Sequence, residues 1–194
     1  MAITYPLAFP THTGVRSIEL RASNSVSFSQ SPFTFQGQAL HWGGEMWMLD
    51  VTLPPMKRAD AEVWVAWLVS LRGQYGRFLA GDSSSSTIRG TATTVTVSGS
   101  AGDSSVTVVS NGTLKAGDMI QIGEASDATL HKVLADLSGS GTLEIWPALR
   151  KNRSSATVFL DNASGVFRLS SNETSWSVNE ASIYGLSFSA MEAV

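Results

Sequence analysis

The sequence of 194 residues contains no cysteine. This absence excludes a disulfide framework, a thiolate nucleophile and any metal site that is built on cysteine. Charged residues are few, at 15% of the chain with a formal net charge of −3, and they form no basic footprint of the kind that binds phosphate backbones. We therefore expect no direct contact with nucleic acid.

Long apolar runs are also missing from the chain. No stretch approaches the roughly 18 apolar residues that span a bilayer, and no lysine-rich amphipathic helix suits a membrane surface. The first residues, Met1 to Pro6, carry neither a charged leader nor a continuous apolar run. We therefore expect no membrane insertion and no secretion signal, which predicts a soluble protein that is made in the cytoplasm.

The sequence lacks the common catalytic motifs. It contains no HExxH, no glycine-rich phosphate loop ending in Lys-Ser/Thr, no GxGxxG after a strand and no GxSxG. The three histidines, His12, His41 and His131, are far apart and fall in three different contexts. We interpret them as turn-edge or half-exposed structural residues, because a metal site needs convergent ligands. No cofactor is predicted.

Carboxylates leave one catalytic alternative open, because a glycosidase pair meets only in the fold. Glu45 and Asp50 lie on or beside the strongest predicted strand, and Asp136 and Glu144 bracket a glycine-rich turn. Each of the four is more simply a solvent-facing strand or turn residue. We predict that the protein is not an enzyme.

What the chain does contain is Ser, Thr, Val and Gly, the residues of strands and turns. Residues 15 to 30 alternate as paired strands around a turn at Ser23-Asn24-Ser25, and Trp42-Gly43-Gly44-Glu45 marks a further break. The clearest strand runs from Met46 to Pro54, with one apolar face. That face comprises Trp47, Leu49, Val51 and Leu53.

The apolar period changes after Pro54-Pro55. From Lys57 to Arg72 the large apolar residues recur at spacings of three and four, which predicts one amphipathic helix near residues 57–72. Arg72-Gly73 supplies a cation and a glycine for its C-terminal cap. The stripe comprises Val63, Trp64, Trp67, Leu68 and Leu71, and we expect it to pack on a sheet.

The composition shifts in the middle of the chain. A polar serine run, residues 83–86, predicts a loop, and residues 87–160 hold only two aromatics, Trp146 and Phe159. Short strand patterns every 8 to 12 residues there favour a small barrel or sandwich. The strand patterns are Thr93 to Val97, Val106 to Val109, Met119 to Ile122, Leu130 to Ala135, Leu143 to Trp146 and Thr157 to Leu160.

Aromatic residues return at about residue 165, so the middle is interpreted as an insertion at an exposed loop. The predicted fold class is mostly β: a β-sandwich host domain with one α-helix, interrupted by a small inserted β-barrel or sandwich module. Residues 1–82 and 165–194 form the ring-forming host domain, and residues 83–164 form the inserted module.

Two tryptophans are candidates for contact with a partner or a ligand. Trp42, beside Gly43-Gly44, and Trp146, before Pro147, are predicted to lie at turns. Aromatic residues exposed on a β module serve a protein interface or the stacking of a sugar ring. We leave interface, core edge and glycan contact open for both.

Several pieces of the chain resemble the distal tail proteins of long-tailed bacteriophages and of tail-like gene transfer agents. The first three are Leu53-Pro54-Pro55-Met56-Lys57-Arg58-Ala59, Leu71-Arg72-Gly73 and Phe78-Leu79-Ala80-Gly81-Asp82. The middle contributes Leu114 to Gly123, Leu130 to Val133, Ile145 to Arg150 and Gly165 to Leu169. The resemblance covers roughly residues 40 to 170, and it is carried by the order and spacing of these pieces.

The resemblance implies a structural virion protein at the tail tip, assembled in the host cytoplasm. It implies a β-sandwich that forms a ring, usually a hexamer, and joins the tail tube protein to the hub or fibre proteins. The inserted module of such proteins sometimes resembles a carbohydrate-binding fold, so glycan contact through the insert is one alternative. Another minor tail-tip protein, or a glycosidase or peptidase of the tip, are the others.

Overall fold

A computed structural model describes residues 3–10, 14–82, 87–180 and 182–194. Within these ranges the chain forms one α-helix, α1 (Arg58–Ser70), and fifteen strands. The strands are β1 (Ser17–Gln30), β2 (Gly37–Thr52), β3 (Met56–Lys57), β4 (Phe78–Ala80), β5 (Val95–Gly99), β6 (Ser105–Ser110), β7 (Thr113–Leu114), β8 (Met119–Ile122), β9 (Thr129–Val133), β10 (Leu137–Ser138), β11 (Gly141–Trp146), β12 (Arg153–Phe159), β13 (Gly165–Leu169), β14 (Trp176–Val178) and β15 (Ile183–Glu192). The predicted mostly-β class, with one helix and a small barrel, is confirmed.

The two ends of the chain build one seven-stranded sheet. Its main path runs β1-β2-β15-β13-β4, and β3 and β14 pair with the first half of β15. All of these pairings are antiparallel, and β2 lies against β15 with Thr52 opposite Ser187 and Met48 opposite Met191. The alternation predicted for residues 46–54 is confirmed, because Trp47, Leu49, Val51 and Leu53 are all buried.

Helix α1 covers this sheet with the predicted stripe. Trp64, Trp67, Leu68 and Leu71 are buried, whereas Val63 at the margin of the stripe is exposed. The helix begins after Pro54-Pro55, and it ends where Arg72 and Gly73 adopt the left-handed conformation, with φ of 53° and 66°. Trp67 then lies 5.1 Å from Phe78 and 5.7 Å from Phe188 between ring centroids, so aromatic contacts join helix and sheet. No helix among the described residues has the length and apolar character to cross a membrane.

Six strands of the middle segment close into a barrel in the order β11-β6-β5-β12-β8-β9. Alternate residues fill it: Val106 and Val108 of β6 are buried, while Thr107 and Val109 face out. The predicted strand at residues 119–122 is observed at those residues, and the other five are observed with shifted ends. Thr87 forms an antiparallel bridge with Asp161, so the chain enters and leaves the barrel at neighbouring points. The serine run at residues 83–86 lies outside the described residues.

The predicted turns at Ser23-Asn24-Ser25 and at Trp42-Gly43-Gly44-Glu45 are wrong. Both segments lie inside the long strands β1 and β2, which pair from Ser17–Thr52 to Gln30–Gly37. The register shifts between Asn24 and Val26, where Gly43 has a φ of +75°. The turn-forming residues therefore belong to a bulge that the hairpin passes through without breaking.

Candidate functional site

The β1–β2 hairpin extends beyond the sheet as a two-stranded arm, residues 24–45. Past the Met48–Met191 pair, β2 has only β1 as a strand partner among the described residues. Every residue from 24 to 44 is exposed except Ser31, which lies in the turn at the tip. A two-stranded ribbon is only marginally stable when it is alone in water. The arm is therefore the part of the fold that has most to gain from a partner.

The arm carries a dense set of exposed apolar side chains. Phe28 is 65% exposed, Phe33 91%, Phe35 74% and Trp42 68%, and Val26 and Leu40 add to the set. Between Arg21 and Glu45 the sequence has no acidic residue and no lysine or arginine. Exposed apolar surface of this extent is typical of interaction sites. Because no fixed charge lies on the arm, burying it in an interface costs little desolvation.

The apolar residues occupy both faces and the tip of the arm. Val26 and Phe28 alternate onto one face, and Leu40 and Trp42 onto the other, since successive side chains of a strand point in opposite directions. Phe33 lies at the tip. A partner that wraps around the arm, or several neighbours that meet at it, would bury all three surfaces.

The two tryptophans proposed as contact residues have different surroundings. Trp42 lies within β2 and is largely exposed on the arm. Trp146 is the last residue of β11 and is half-buried, with its ring edge-on to Trp47 at 4.5 Å between centroids. The indole Nε1 of Trp146 donates a hydrogen bond of 2.9 Å to Oδ1 of Asn24, at the base of the arm. Whether either tryptophan binds a partner or a ligand stays a prediction.

The barrel is fastened to the base of the arm by a buried ion pair. The guanidinium of Arg150 donates to both oxygens of Glu192, at 2.7 and 3.2 Å, and through Nη2 to the backbone carbonyl of Glu45 at 2.6 Å. The side chains of Arg150 and Glu192 are only 14% and 4% exposed. Glu192 Oε2 also accepts the backbone N–H of Trp47 at 3.1 Å. One carboxylate therefore joins barrel, arm and sheet.

Two further hydrogen bonds complete this junction, which comprises Glu45, Trp47, Trp146, Arg150 and Glu192. Glu45 Oε2 accepts the backbone N–H of Ala148 at 2.7 Å, so the expectation that Glu45 faces solvent is wrong. The indole Nε1 of Trp47 donates to the carbonyl oxygen of Leu130 in the barrel at 2.9 Å. The orientation of the barrel is thus set by polar contacts that water does not reach easily.

His131 lies in the barrel and is fully buried, so its expected position at a turn edge or half-exposed site is wrong. Nδ1 lies 2.7 Å from the carbonyl oxygen of Pro147, and Nε2 lies 2.9 Å from the hydroxyl of Thr129. A carbonyl only accepts, so Nδ1 carries the proton and Nε2 accepts from Thr129. Burial lowers the pKa of His131 to about 4. The imidazole is therefore neutral at physiological pH and fills a structural role.

The remaining polar candidates are dispersed. His41 lies on the arm, and His12 lies outside the described residues. Asp50 pairs with Arg21, and Asp136 accepts a 2.8 Å hydrogen bond from Lys115. Within the described residues, no cluster of three His, Asp or Glu side chains is arranged to hold a metal ion.

Neither the comparison with protein-family models nor the comparison with curated proteins found a match to this chain. The class of the protein is therefore defined by its structure: a helix-covered sheet with a closed barrel and an exposed apolar arm.

Sequence reasoning missed the junction entirely. Glu45 and Arg150 are separated by 105 positions and Arg150 and Glu192 by 42, so no local spacing joins them. The arm left a partial signal, because its alternation was visible while its length was hidden by the turn-forming residues of the bulge.

Proposed function

We propose that this chain is a structural virion protein, a homo-oligomeric ring adaptor at the distal end of a phage tail. In this role it joins the tail tube protein to the tail-tip hub or fibre proteins. The observation that carries the proposal is the uncharged apolar arm, residues 24–45, which leaves Phe28, Phe33, Phe35 and Trp42 exposed on a monomer. Copies arranged in a ring provide repeated surfaces that cover such an arm.

The positions of the resembling pieces also support the proposal. The segment from Leu53 to Ala59 links β2 to α1, and Leu71-Arg72-Gly73 ends the helix. Residues 78–82 comprise β4 and the chain that leads toward the barrel. These pieces therefore lie where helix, sheet and barrel meet, so one framework accounts for their order along the chain.

Native mass spectrometry of the purified protein tests the proposal directly. We expect a discrete closed oligomer, with a hexamer as the specific prediction. The triple variant Phe28→Thr/Leu40→Thr/Trp42→Thr should shift the protein toward monomer, because it removes apolar area from both faces of the arm while keeping strand-forming residues. The matched control is Val109→Thr, an equally conservative change at an exposed valine of the barrel.

Electron microscopy supplies the second arm of this test. Immunogold label raised against the protein should mark one end of assembled tails. A protein that stays monomeric at high concentration and labels no tail particle would overturn the proposal.

A carbohydrate-binding or other minor tail-tip role is the alternative, and one observation favours it. Trp42 presents an exposed indole on an uncharged strand, which suits stacking against a sugar ring. Trp146 is less suited, because its ring packs on Trp47 and its N–H is engaged by Asn24. Binding on a glycan array that is lost in Trp42→Ala and kept in Trp146→Phe would favour this role.

A further inference from the structure

An apolar groove lies at the start of helix α1. It is lined by residues 55–59 together with Ser182 and Ile183, and it encloses about 540 Å³. Met56 forms its buried floor, while Ala59 and Ile183 are exposed along its sides. Most of the lining is carbon, so the groove is suited to an apolar group rather than to a polar ligand.

The tip of the arm has the complementary chemistry. The turn from Ser31 to Gln36 is closed by a 2.9 Å hydrogen bond from the N–H of Ser31 to the carbonyl oxygen of Gln36. This closed turn presents Phe33 and Phe35, the two most exposed aromatic rings of the arm apart from none of its charged groups, since it has none. Rigid aromatic side chains on a preformed turn lose little entropy when they bind.

Distance excludes an internal contact between the tip and the groove. The groove begins at Pro55, just after the Ser17–Thr52 pair that forms the base of the hairpin. At about 3.3 Å per residue, the 14 residues of β1 place the tip roughly 40 Å from that base. The tip of one chain therefore reaches such a groove only on another copy.

We infer that the tip residues Phe33 and Phe35 of one copy dock into the groove of a neighbouring copy. This inference rests on the proposed self-assembly and specifies its contact. The two surfaces differ and lie at opposite ends of one hairpin, so the contact is heterologous, which is the type that builds rings. Lys57 and Arg58 border the groove, and their positive charges are attracted to aromatic faces without meeting any cation on the tip.

Cross-linking tests the contact cleanly, because the natural chain has no cysteine. Thr34→Cys places a thiol between the two tip aromatics, and Ala59→Cys places one beside the groove. When the two single variants are mixed and treated with a short bismaleimide, we expect covalent dimers. When both changes are in one chain, we expect a ladder of higher species. The control pair is Thr34→Cys with Val109→Cys on the barrel, which should yield no ladder.

A second measurement keeps the inference separate from the folding of the cysteine variants. Phe33→Ser and Ile183→Glu should each raise the dissociation constant of the oligomer by roughly tenfold or more, as losing an anchor at the centre of an interface does. An oligomer that resists both changes and gives no cross-link overturns this contact and leaves the ring proposal standing. A protein that is monomeric without any substitution overturns both.

Discussion

At the scale of single residues, the buried carboxylate of Glu192 has the largest expected effect on stability. Arg150→Met removes its only cationic partner and leaves a charge at a site where the side chain is 4% exposed. We expect the free energy of unfolding to fall by about 3 to 5 kcal/mol, the usual cost of breaking a buried pair from one side. Urea denaturation followed by tryptophan fluorescence measures this change.

The double variant Arg150→Met/Glu192→Gln serves as the internal check on that prediction. A glutamine at 192 keeps an acceptor for the N–H of Trp47 and carries no charge, so much of the lost stability should return. The surface control is Arg58→Met, whose pair with Glu62 is exposed and should contribute at most about 1 kcal/mol. Equal losses for Arg150→Met and Arg58→Met would contradict the buried role of the junction.

His131 makes stability depend on pH. Its pKa is lowered to about 4 in the folded protein by burial, while the unfolded chain protonates near the ordinary value of 6.5. As the pH falls through this window the unfolded state binds a proton that the folded state refuses, so stability is complete above pH 6.5 and is lost toward pH 4. We expect His131 to account for a loss of about 3 kcal/mol.

Comparing the protein with His131→Gln isolates this effect. The difference between their unfolding free energies should change between pH 7 and pH 4, because glutamine does not titrate. The pKa of Asp127 is lowered by hydrogen bonds from Lys151 and Arg153, but that carboxylate titrates mainly below this window and is common to both proteins. Parallel stability curves would show that His131 is protonated in the fold.

At the scale of elements, a buried aspartate holds the entrance of the barrel. Asp118 is 2% exposed, and its carboxylate accepts the backbone N–H groups of Arg89, Gly90 and Lys115 at 2.9, 3.3 and 2.9 Å. Asp118→Ala would leave these three donors without their acceptor in a partly buried loop. We expect a loss of about 3 kcal/mol, with faster amide exchange at residues 87–90 and 115 in hydrogen-exchange mass spectrometry.

The matched control for Asp118 is Asp136→Ala. Asp136 also accepts a backbone N–H, from Ala116 at 2.8 Å, but this carboxylate is exposed. Water replaces the lost acceptor there, so exchange at residues 87–90 should stay unchanged. Protection that survives in Asp118→Ala would mean that other contacts hold the entrance.

Elements that bury one face against their neighbours were predictable from sequence. Residues 46–54 and 57–72 show a clean period because one side of each is packed, and their faces were assigned correctly apart from Val63. The arm was mispredicted for the opposite reason. Both of its faces are exposed, so Ser25 and Gly43 read as turn residues, and only pairing between distant strands shows that they lie in a bulge.

At the scale of the whole molecule, the barrel and the sheet have separate cores that share a boundary. Valines, leucines and isoleucines such as Val97, Val108 and Ile122 fill the barrel, whereas Trp64, Phe78 and Phe167 fill the sheet side. Met119 and Leu130 belong to the barrel strands and yet pack into the core of the sheet. No local pattern encodes such a boundary, which is why the candidate site was predicted less well than the fold.

This shared boundary predicts an asymmetric result when the two parts are separated. The bridge between Thr87 and Asp161 brings the ends of the barrel segment together, so residues 87–161 can be expressed alone or replaced by a short Gly-Ser linker. The isolated barrel should fold, because it keeps its closed ring of strands and its own core. Dispersed amide signals in its NMR spectrum and a cooperative thermal transition are the expected results.

The sheet without its barrel should suffer more. Trp47 would lose the carbonyl of Leu130 and the ring of Trp146, and Glu192 would lose Arg150, so a buried indole N–H and a buried carboxylate would both be left without partners. We expect a lower melting temperature than that of the full chain, with partial recovery in the linker variant that also carries Glu192→Gln. A sheet as stable alone as in the full chain would show that the barrel is merely appended, and the junction would then have no part in holding the arm.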